Sequence, residues 1–288
     1  MPTHSHASTL ALSVGSALQQ TEPDVEVIII GDGVTEQVRK AAVALAASDE
    51  RVRFFDHPKG ENHGETYRDA AIREAASDAI FYLCDDDLLM RHHVADLLEL
   101  LKTHNFVQSK NGYFTVDGQI GPYPGDLAEA DTIAQTLRHD IVFSVVSITG
   151  TAHSREFYLA GEPWTTTPPG EFPDHHQWRK MMRRPEFSGA TSTRMTALQF
   201  PSSSEGRDSW TPEQRVAEIA EWAHLAATDE GMSRVDELVA RGDRLTLIRY
   251  LAELTELRLF RLRRGQVIAH NLATFVRRLP GARGSRRR

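Results

Sequence analysis

The chain has one cysteine, Cys84, among its 288 residues. No disulfide can form within it, and such usage suits a reducing compartment. It also has no apolar run near the roughly 18–20 residues needed to cross a bilayer. The opening residues, "MPTHSHASTL", lack the basic region and apolar core of a secretory signal. Together these absences predict a cytoplasmic protein. Acidic residues are missing from one end. Between Leu257 and Arg288 stand ten arginines and no Asp or Glu, although the net charge is −7. What remains is ordinary: 40% hydrophobic and 25% charged residues, as in a soluble globular chain.

Strands and helices alternate through the first hundred residues. Leu10, Val14, Ala17 and Leu18 fall at helical spacing. "VEVIII" (25–30) is short and β-branched, and "GDG" follows it, which reads as a buried strand ending in a turn. A helix is expected from Thr35, which would cap it, to Ala47. "RVRFF" and "AIFYLC" read as strands, and "ETYRDAAIREAAS" and "HHVADLLELLK" as helices. Such alternation argues for a parallel α/β sheet with helices on both faces. Ligands in such sheets gather at the carboxyl ends of the strands. Asp32 follows one strand and Asp85, Asp86 and Asp87 follow another, so both features should share one rim. Later, "FVQSKNGYFTVDGQIGPYPGD" reads as hairpin material with a turn at Asp117-Gly118, and "IVFSVVSITGTAH" reads as a strand.

The aspartate triplet needs a reason. Adjacent carboxylates repel one another, and nearby apolar residues strip their hydration. Carboxylates at a strand end are oxygen ligands for Mg²⁺ or Mn²⁺, and a bound divalent ion removes the repulsion. Acidic residues also favour the start of a helix, and a helix follows here. From this stretch alone both readings stand.

The surrounding motifs resemble the family 2 glycosyltransferases of the GT-A fold. "PTHSH" with "SVGSALQQT" is similar to that family's opening loop and first helix. "EPDVEVIIIGDGV" is similar to its second strand with D-D-G-S. "YRDAAIREAASDAIFYLCDDD" resembles the segment ending in its D-x-D element, and "PDHHQWRKM" resembles its later E-D-x-x-L-W-x-R element. Four motifs in order cover roughly residues 2–180. The resemblance implies a GT-A α/β fold, a Rossmann-like mixed sheet flanked by helices. It also implies transfer of a sugar from a nucleotide donor, with UDP-sugars favoured, to a carbohydrate or lipid-linked acceptor, with inversion. Such a reaction would serve surface polysaccharide or glycoconjugate synthesis. By the same resemblance Pro2, Thr3 and His4 form the loop at the nucleotide base, and Asp32 bonds the base. Arg68 lies near the nucleotide. Asp85 contacts the ribose or the metal, Asp86 holds Mg²⁺ or Mn²⁺, and Asp174 is the catalytic base. Asp87 is left to cap the helix that follows. No nucleic-acid partner is expected.

The chain also departs from the pattern. Gly31 and Cys84 replace aspartates of D-D-G-S and D-A-D-D, which would suit a non-catalytic sugar-nucleotide or carbohydrate binder on the same fold. Asp174 favours an enzyme, since a binder has no need of a base. A nucleotidyltransferase would need a glycine-rich, Arg-containing opening loop, which is absent. The family's first strand precedes the "PT" loop, whereas this sequence opens at Met1-Pro2. A missing central strand would orphan backbone groups, so an in-frame upstream run such as "VSVVI" is expected. Cys84 should be a small buried hydrophobe. Adjacent helical side chains point about 100° apart, so neither His175-His176 nor His92-His93 should hold one metal as a pair. Within each pair, one ring should pack and the other be exposed. Trp178 should be core, and Trp164 either core or a platform for an acceptor sugar.

A boundary is expected near Ser209, dividing a GT-A domain (1–209) from a helical C-terminal extension (210–288). The segment from Leu257 mixes apolar residues with arginines at helical spacing. It either lies on an anionic membrane, placing the protein at the inner face, or packs on the domain with its arginines in solvent. Flotation with anionic liposomes separates the two. A membrane helix gives flotation that is lost without residues 257–288, and a packed helix gives no flotation of either form.

Overall fold

The structure, a computed structural model, describes residues 1–110, 112–122, 125–138, 146–202 and 206–244. Met1–Asp243 form one compact unit. The basic segment from Leu257 and the stretch 141–145 of the expected strand "IVFSVVSITGTAH" lie outside the described residues.

The chain opens with a two-residue strand, β1 (Pro2–Thr3), and helix α1 (Ala7–Leu18). Then come β2 (Val27–Asp32), α2 (Glu36–Ser48), β3 (Val52–His57), α3 (Tyr67–Glu74) and β4 (Ala79–Phe81). β1, β2 and β3 form a parallel sheet, with Pro2 opposite Ile30 and Val27 opposite Val52. The β-branched run of β2 is buried because α1 and α2 cover it through Leu10, Val14, Val38 and Ala42. Helix α2 starts where expected, with Thr35 Oγ1 accepting from the Val38 amide (3.3 Å).

After the aspartates come β5 (Leu88–Leu89), α4 (His93–Leu101), β6 (Phe106–Gln108) and the antiparallel hairpin β7 (Gly112–Phe114) and β8 (Ile120–Pro122). Gly118, at φ +74°, supplies the left-handed turn residue of that hairpin. The helices α5 (Ala130–Thr136), α6 (Arg155–Leu159) and α7 (Pro173–Met182) and the strands β9 (Thr151–Ser154), β10 (Gly189–Thr191) and β11 (Ala197–Leu198) follow. A mixed sheet runs β10-β6-β9-β4, with β9 antiparallel to both neighbours. Trp178 is fully buried at the centre of the aromatic cluster on this sheet, edge-on to Phe106 at 5.1 Å and to Tyr82 at 5.3 Å.

Helix α8 (Pro212–Ala226) has Pro212 in its first turn and a complete capping box between Thr211 and Gln214. Its Ile219 and Trp222 are buried with Leu88, Met90 and Phe200. The compact unit runs past Ser209 to Asp243. Residues 229–244 continue as helix.

The two sheets leave a slot between β2 and β4. Among the described residues, β1 covers only the last part of β2, pairing at Ile30 and Gly31, and β4 is an edge strand. The slot has a volume of about 170 Å³ and is lined by Val27, Ile28, Ile80 and Phe81 among others. The Met1 amino group points into this region and donates to the Ile28 carbonyl at 2.9 Å. Burial, with Arg68 adding to it, lowers its pKa to about 5 from near 8. The native state thus binds fewer protons than the unfolded chain between these values. The stabilisation is present above pH 8 and falls as the pH drops toward 5, by roughly 1.4 kcal/mol per pH unit. A five-residue β-branched run placed before Met1 would fill the slot and replace the amine by an amide. Such a chain is expected to gain on the order of 2–4 kcal/mol in urea unfolding at pH 6.5. It should also lose this pH dependence. Equal midpoints for the two chains would show that the slot takes no strand.

Candidate active site

Seven of the eight residues expected at the site line one cleft of about 320 Å³: Pro2, Thr3, His4, Asp32, Arg68, Asp85 and Asp174. They come from distant segments that meet because β1 and β2 end on the same rim and the chain leaving β4 passes beside β1. Cys84, His6, His63 and Phe172 share the lining. Asp86 is not part of it.

Each aspartate of the triplet turns to a different partner. Asp85 is buried. It accepts from Thr3 Oγ1 (2.6 Å) through Oδ2 and meets His6 Nδ1 (3.0 Å) at Oδ1. Thr9 Oγ1 donates to its backbone carbonyl (2.8 Å). Asp86 pairs with Arg215 Nη2 of α8 at 3.0 Å. Asp87 accepts from Thr149 Oγ1 (2.5 Å) and from the Phe200 amide (2.9 Å). It therefore does not cap α4, whose N-cap residue is His92 and makes no side-chain cap bond. Asp87 instead ties two loops to the strand end. Burial first, and then the Asp86 charge, push its pKa up to about 7. Burial and Asp85 likewise raise Asp86. The hydrogen bond to Asp85 raises His6 to about 9, so in this arrangement His6 is a cation facing a carboxylate.

Asp32 ends β2 and is also buried. The chain after β3 folds over it: Lys59 Nζ meets Oδ2 and the Gly60 amide meets Oδ1, both at 2.6 Å. Gly64, at φ +60°, packs so closely that a Cβ there would stand 2.7 Å from the Asp32 side chain. His4 Nδ1 lies 2.7 Å from the Asp32 carbonyl. Arg68, in the first turn of α3, is the opposite case. It is 5% exposed, and its Nε and Nη1 have no hydrogen-bond partner. Its guanidinium stacks on Trp164 at 4.4 Å, and Asp174 and Glu65 act on it only at a distance. Asp174 sits in the first turn of α7, after Pro173.

Trp164 is 3% exposed and donates to Tyr82 Oη (3.1 Å), so it is core beneath Arg68 and offers no face to a sugar. Cys84 is half-buried at the cleft wall. Burial and the three aspartates raise its pKa well above the ordinary value, which keeps it a thiol. His93 is buried on Thr196 Oγ1 (2.8 Å), while His92 reaches Asp229 (3.1 Å). His175 is buried, and His176 meets Glu171 at 3.0 Å. Reading the sequence missed His6, Lys59 and Arg215. Lys59 stands beside a glycine just past a strand end, a signal that was available. Arg215 lies on a surface-patterned helix and carried no such signal.

The donor set of Asp85, Asp86 and His6 suits a divalent ion, because their ligand atoms lie within 4.8 Å of one another.

The order of strands and helices, with acidic residues at the strand ends, defines the class: an α/β sheet of the GT-A glycosyltransferase type. The chain belongs to glycosyl transferase family 2, whose model matches residues 1–150. Over 117 residues it is 28% identical to an uncharacterized glycosyltransferase of Rickettsia bellii (strain RML369-C), a match covering 41% of this chain and 16% of that one. It is 26% identical over 151 residues to one from Nostoc sp. (strain PCC 7120), covering 52% and 44%. The chain thus spans less than half the length of either relative. The fold is similar to that of S. aureus TarS 1-349, with a TM-score of 0.55, 12% identity, and 84% of this chain and 68% of that one covered. It is also similar to the mannosyltransferase PcManGT from Pyrobaculum calidifontis in complex with GDP-Man and Mn²⁺, with a TM-score of 0.51, 14% identity, and 92% and 80% covered.

A buried cation without a partner destabilises the fold that holds it. Arg68→Met is therefore expected to raise the stability of the ligand-free chain, by on the order of 1–3 kcal/mol in urea unfolding. A loss of stability would mean that the guanidinium is compensated where it stands.

Proposed function

We propose that this chain transfers a sugar from a nucleoside diphosphate donor to an acceptor hydroxyl, inverting the anomeric carbon. One observation carries the reading. Asp32, Arg68, Asp85 and Asp174 share a single cleft, and in it Arg68 is a buried cation with no hydrogen-bonded carboxylate among the described residues. Such a group calls for an anion, and a diphosphate supplies one. The bound UDP-GlcNAc of a further TarS 1-349 structure and the GDP-Man of PcManGT support the donor class, and UDP-sugars are favoured. The acceptor is a carbohydrate or a lipid-linked sugar, and the process is surface polysaccharide or glycoconjugate synthesis at the cytoplasmic side of the membrane.

In this reading Pro2, Thr3 and His4 flank the base. Asp32 accepts from a base N–H, since each of its oxygens keeps a lone pair beyond the bonds to Lys59 and Gly60. Asp85 orients the ribose. Asp85 and Asp86 would hold Mg²⁺ or Mn²⁺, which when bound supplies charge neutralisation for the departing diphosphate. Arg68 adds fixed positive charge from a site with little water. Asp174 accepts the acceptor's hydroxyl proton as that oxygen bonds to the anomeric carbon. The bond from that carbon to the diphosphate oxygen breaks on the opposite face, and the nucleoside diphosphate leaves with its electron pair.

The test is Asp174→Asn. Sugar transfer should fall by at least about 10²-fold, while stabilisation by UDP or a UDP-sugar in thermal unfolding is retained. Unchanged transfer would remove Asp174 from its role. No stabilisation of the wild type by any nucleotide sugar would remove the donor reading.

A further inference from the structure

His6 lies outside the set that the aspartate motif suggests, yet it faces that set. It is the N-cap residue of α1, at φ −89° and ψ 53°, and its side chain makes no cap bond. A Ser, Thr or Asp at such a position would accept from the helix's first amides and steady it. Here the ring turns away from its own helix and crosses to Asp85, 79 residues on, with Nδ1 3.0 Å from Oδ1. Thr3 from the same loop fixes the other oxygen of that carboxylate. The local helix end is thus left weaker than it need be, and an imidazole nitrogen is delivered to the rim of the cleft.

We propose that His6 is a ligand of the divalent ion at the edge of this cleft, forming with Asp85 and Asp86 a mixed nitrogen–oxygen site that favours Mn²⁺ over Mg²⁺. The proposal rests on the nucleotide-donor reading above and adds to it the identity of the ion. Two ligands about 2.1 Å from one ion and at right angles stand about 3.0 Å apart, and opposed ligands about 4.2 Å apart. The Nδ1–Oδ1 separation of 3.0 Å, a hydrogen bond in the ion-free chain, matches the first spacing, and the ion would displace the proton shared there to solvent, freeing the Nδ1 lone pair. The ligand atoms of all three residues lie within 4.8 Å of one another, so one ion can reach them with small side-chain adjustments. Arg215 engages Oδ2 of Asp86 and holds that carboxylate beside the group. Independently, the unpartnered Nε and Nη1 of Arg68 in the same cleft require an anion there, and phosphate oxygens with water would complete the ion's shell. Mg²⁺ prefers an all-oxygen octahedron and gives up its waters reluctantly. An imidazole nitrogen suits first-row transition ions, so the ring biases the choice.

The test uses the full chain with Mn²⁺, with and without UDP, read by pulsed EPR. Electron spin-echo modulation from a directly bound ¹⁴N is expected in the wild type and should vanish in His6→Asn. Competition of Mg²⁺ against Mn²⁺ is expected to show the wild type's preference for Mn²⁺ falling by about tenfold or more in that variant. His6→Asn should keep its unfolding midpoint in the absence of metal within a few degrees, which separates a lost ligand from a lost fold. Bound Mn²⁺ without nitrogen modulation would overturn the proposal, as would modulation that persists in His6→Asn or an unchanged ion preference. So would failure of the wild type to bind Mn²⁺ under either condition. Thermal stabilisation by UDP in EDTA reports on the donor reading separately, so that reading can survive the failure of this one.

Discussion

Three carboxylates in a row, all largely removed from water, are the constraint on which this fold turns. Ionised together without partners they would cost several kcal/mol. The structure meets the problem by splaying them. Asp85 faces the opening loop through Thr3 and His6, Asp86 faces Arg215, and Asp87 faces Thr149 and the Phe200 amide. Each partner belongs to a segment far away in the chain. Satisfying the triplet therefore docks the N-terminal loop, the turn before β9, the strand end at Phe200 and helix α8 onto one point. This explains why α8 belongs to the compact unit. Its apolar face buries Ile219 and Trp222, and the same helix supplies the charge that Asp86 needs.

The cleft beside this point is polarised. Two of its carboxylates, Asp32 and Asp85, are satisfied by protein groups, whereas its guanidinium is not. Asp32 has Lys59 and Gly60, and Asp85 has Thr3 and His6, but Arg68 has only the face of Trp164 and the distant charges of Asp174 and Glu65. A bare cation in a pre-shaped pocket is costly to the free protein and useful to a binder of anions. Stability lost at Arg68 is offset by the aromatic cluster of Tyr82, Trp164 and Trp178 directly beneath it.

Much of this was legible in the sequence, and for physical reasons. Acidic residues at strand ends must share a rim once the strands are parallel, so Asp32 and Asp85 could be placed together before any coordinates. Gly118 and Thr35 carried turn and cap chemistry that acts within a few residues. What could not be read was long-range pairing. Arg215 meets Asp86 across 129 residues, and His6 meets Asp85 across 79; neither pairing leaves a periodic trace. Asp87 was misassigned for the same reason. Its neighbours in sequence suggested a helix cap, while its partners in space lie at Thr149 and Phe200. Trp164 is loop-borne, so its sequence leaves core and platform both open, and a loop that folds inward hides its aromatic residue as well as a helix does.

The slot and the cleft share a wall. Pro2 and Arg68 line both. Pro2 leads into the loop that holds Asp85, and Arg68 is the cation that the cleft leaves unpaired. Whatever fills the slot acts on both at once, for two reasons. A strand seated between β2 and β4 would fix the direction in which Pro2, Thr3 and His4 leave the sheet. It would also replace the Met1 amine, which burial and Arg68 hold to a pKa of about 5, by an amide that cannot protonate beside Arg68. The order of the central sheet and the shape of the cleft are thus coupled through the two residues that line both.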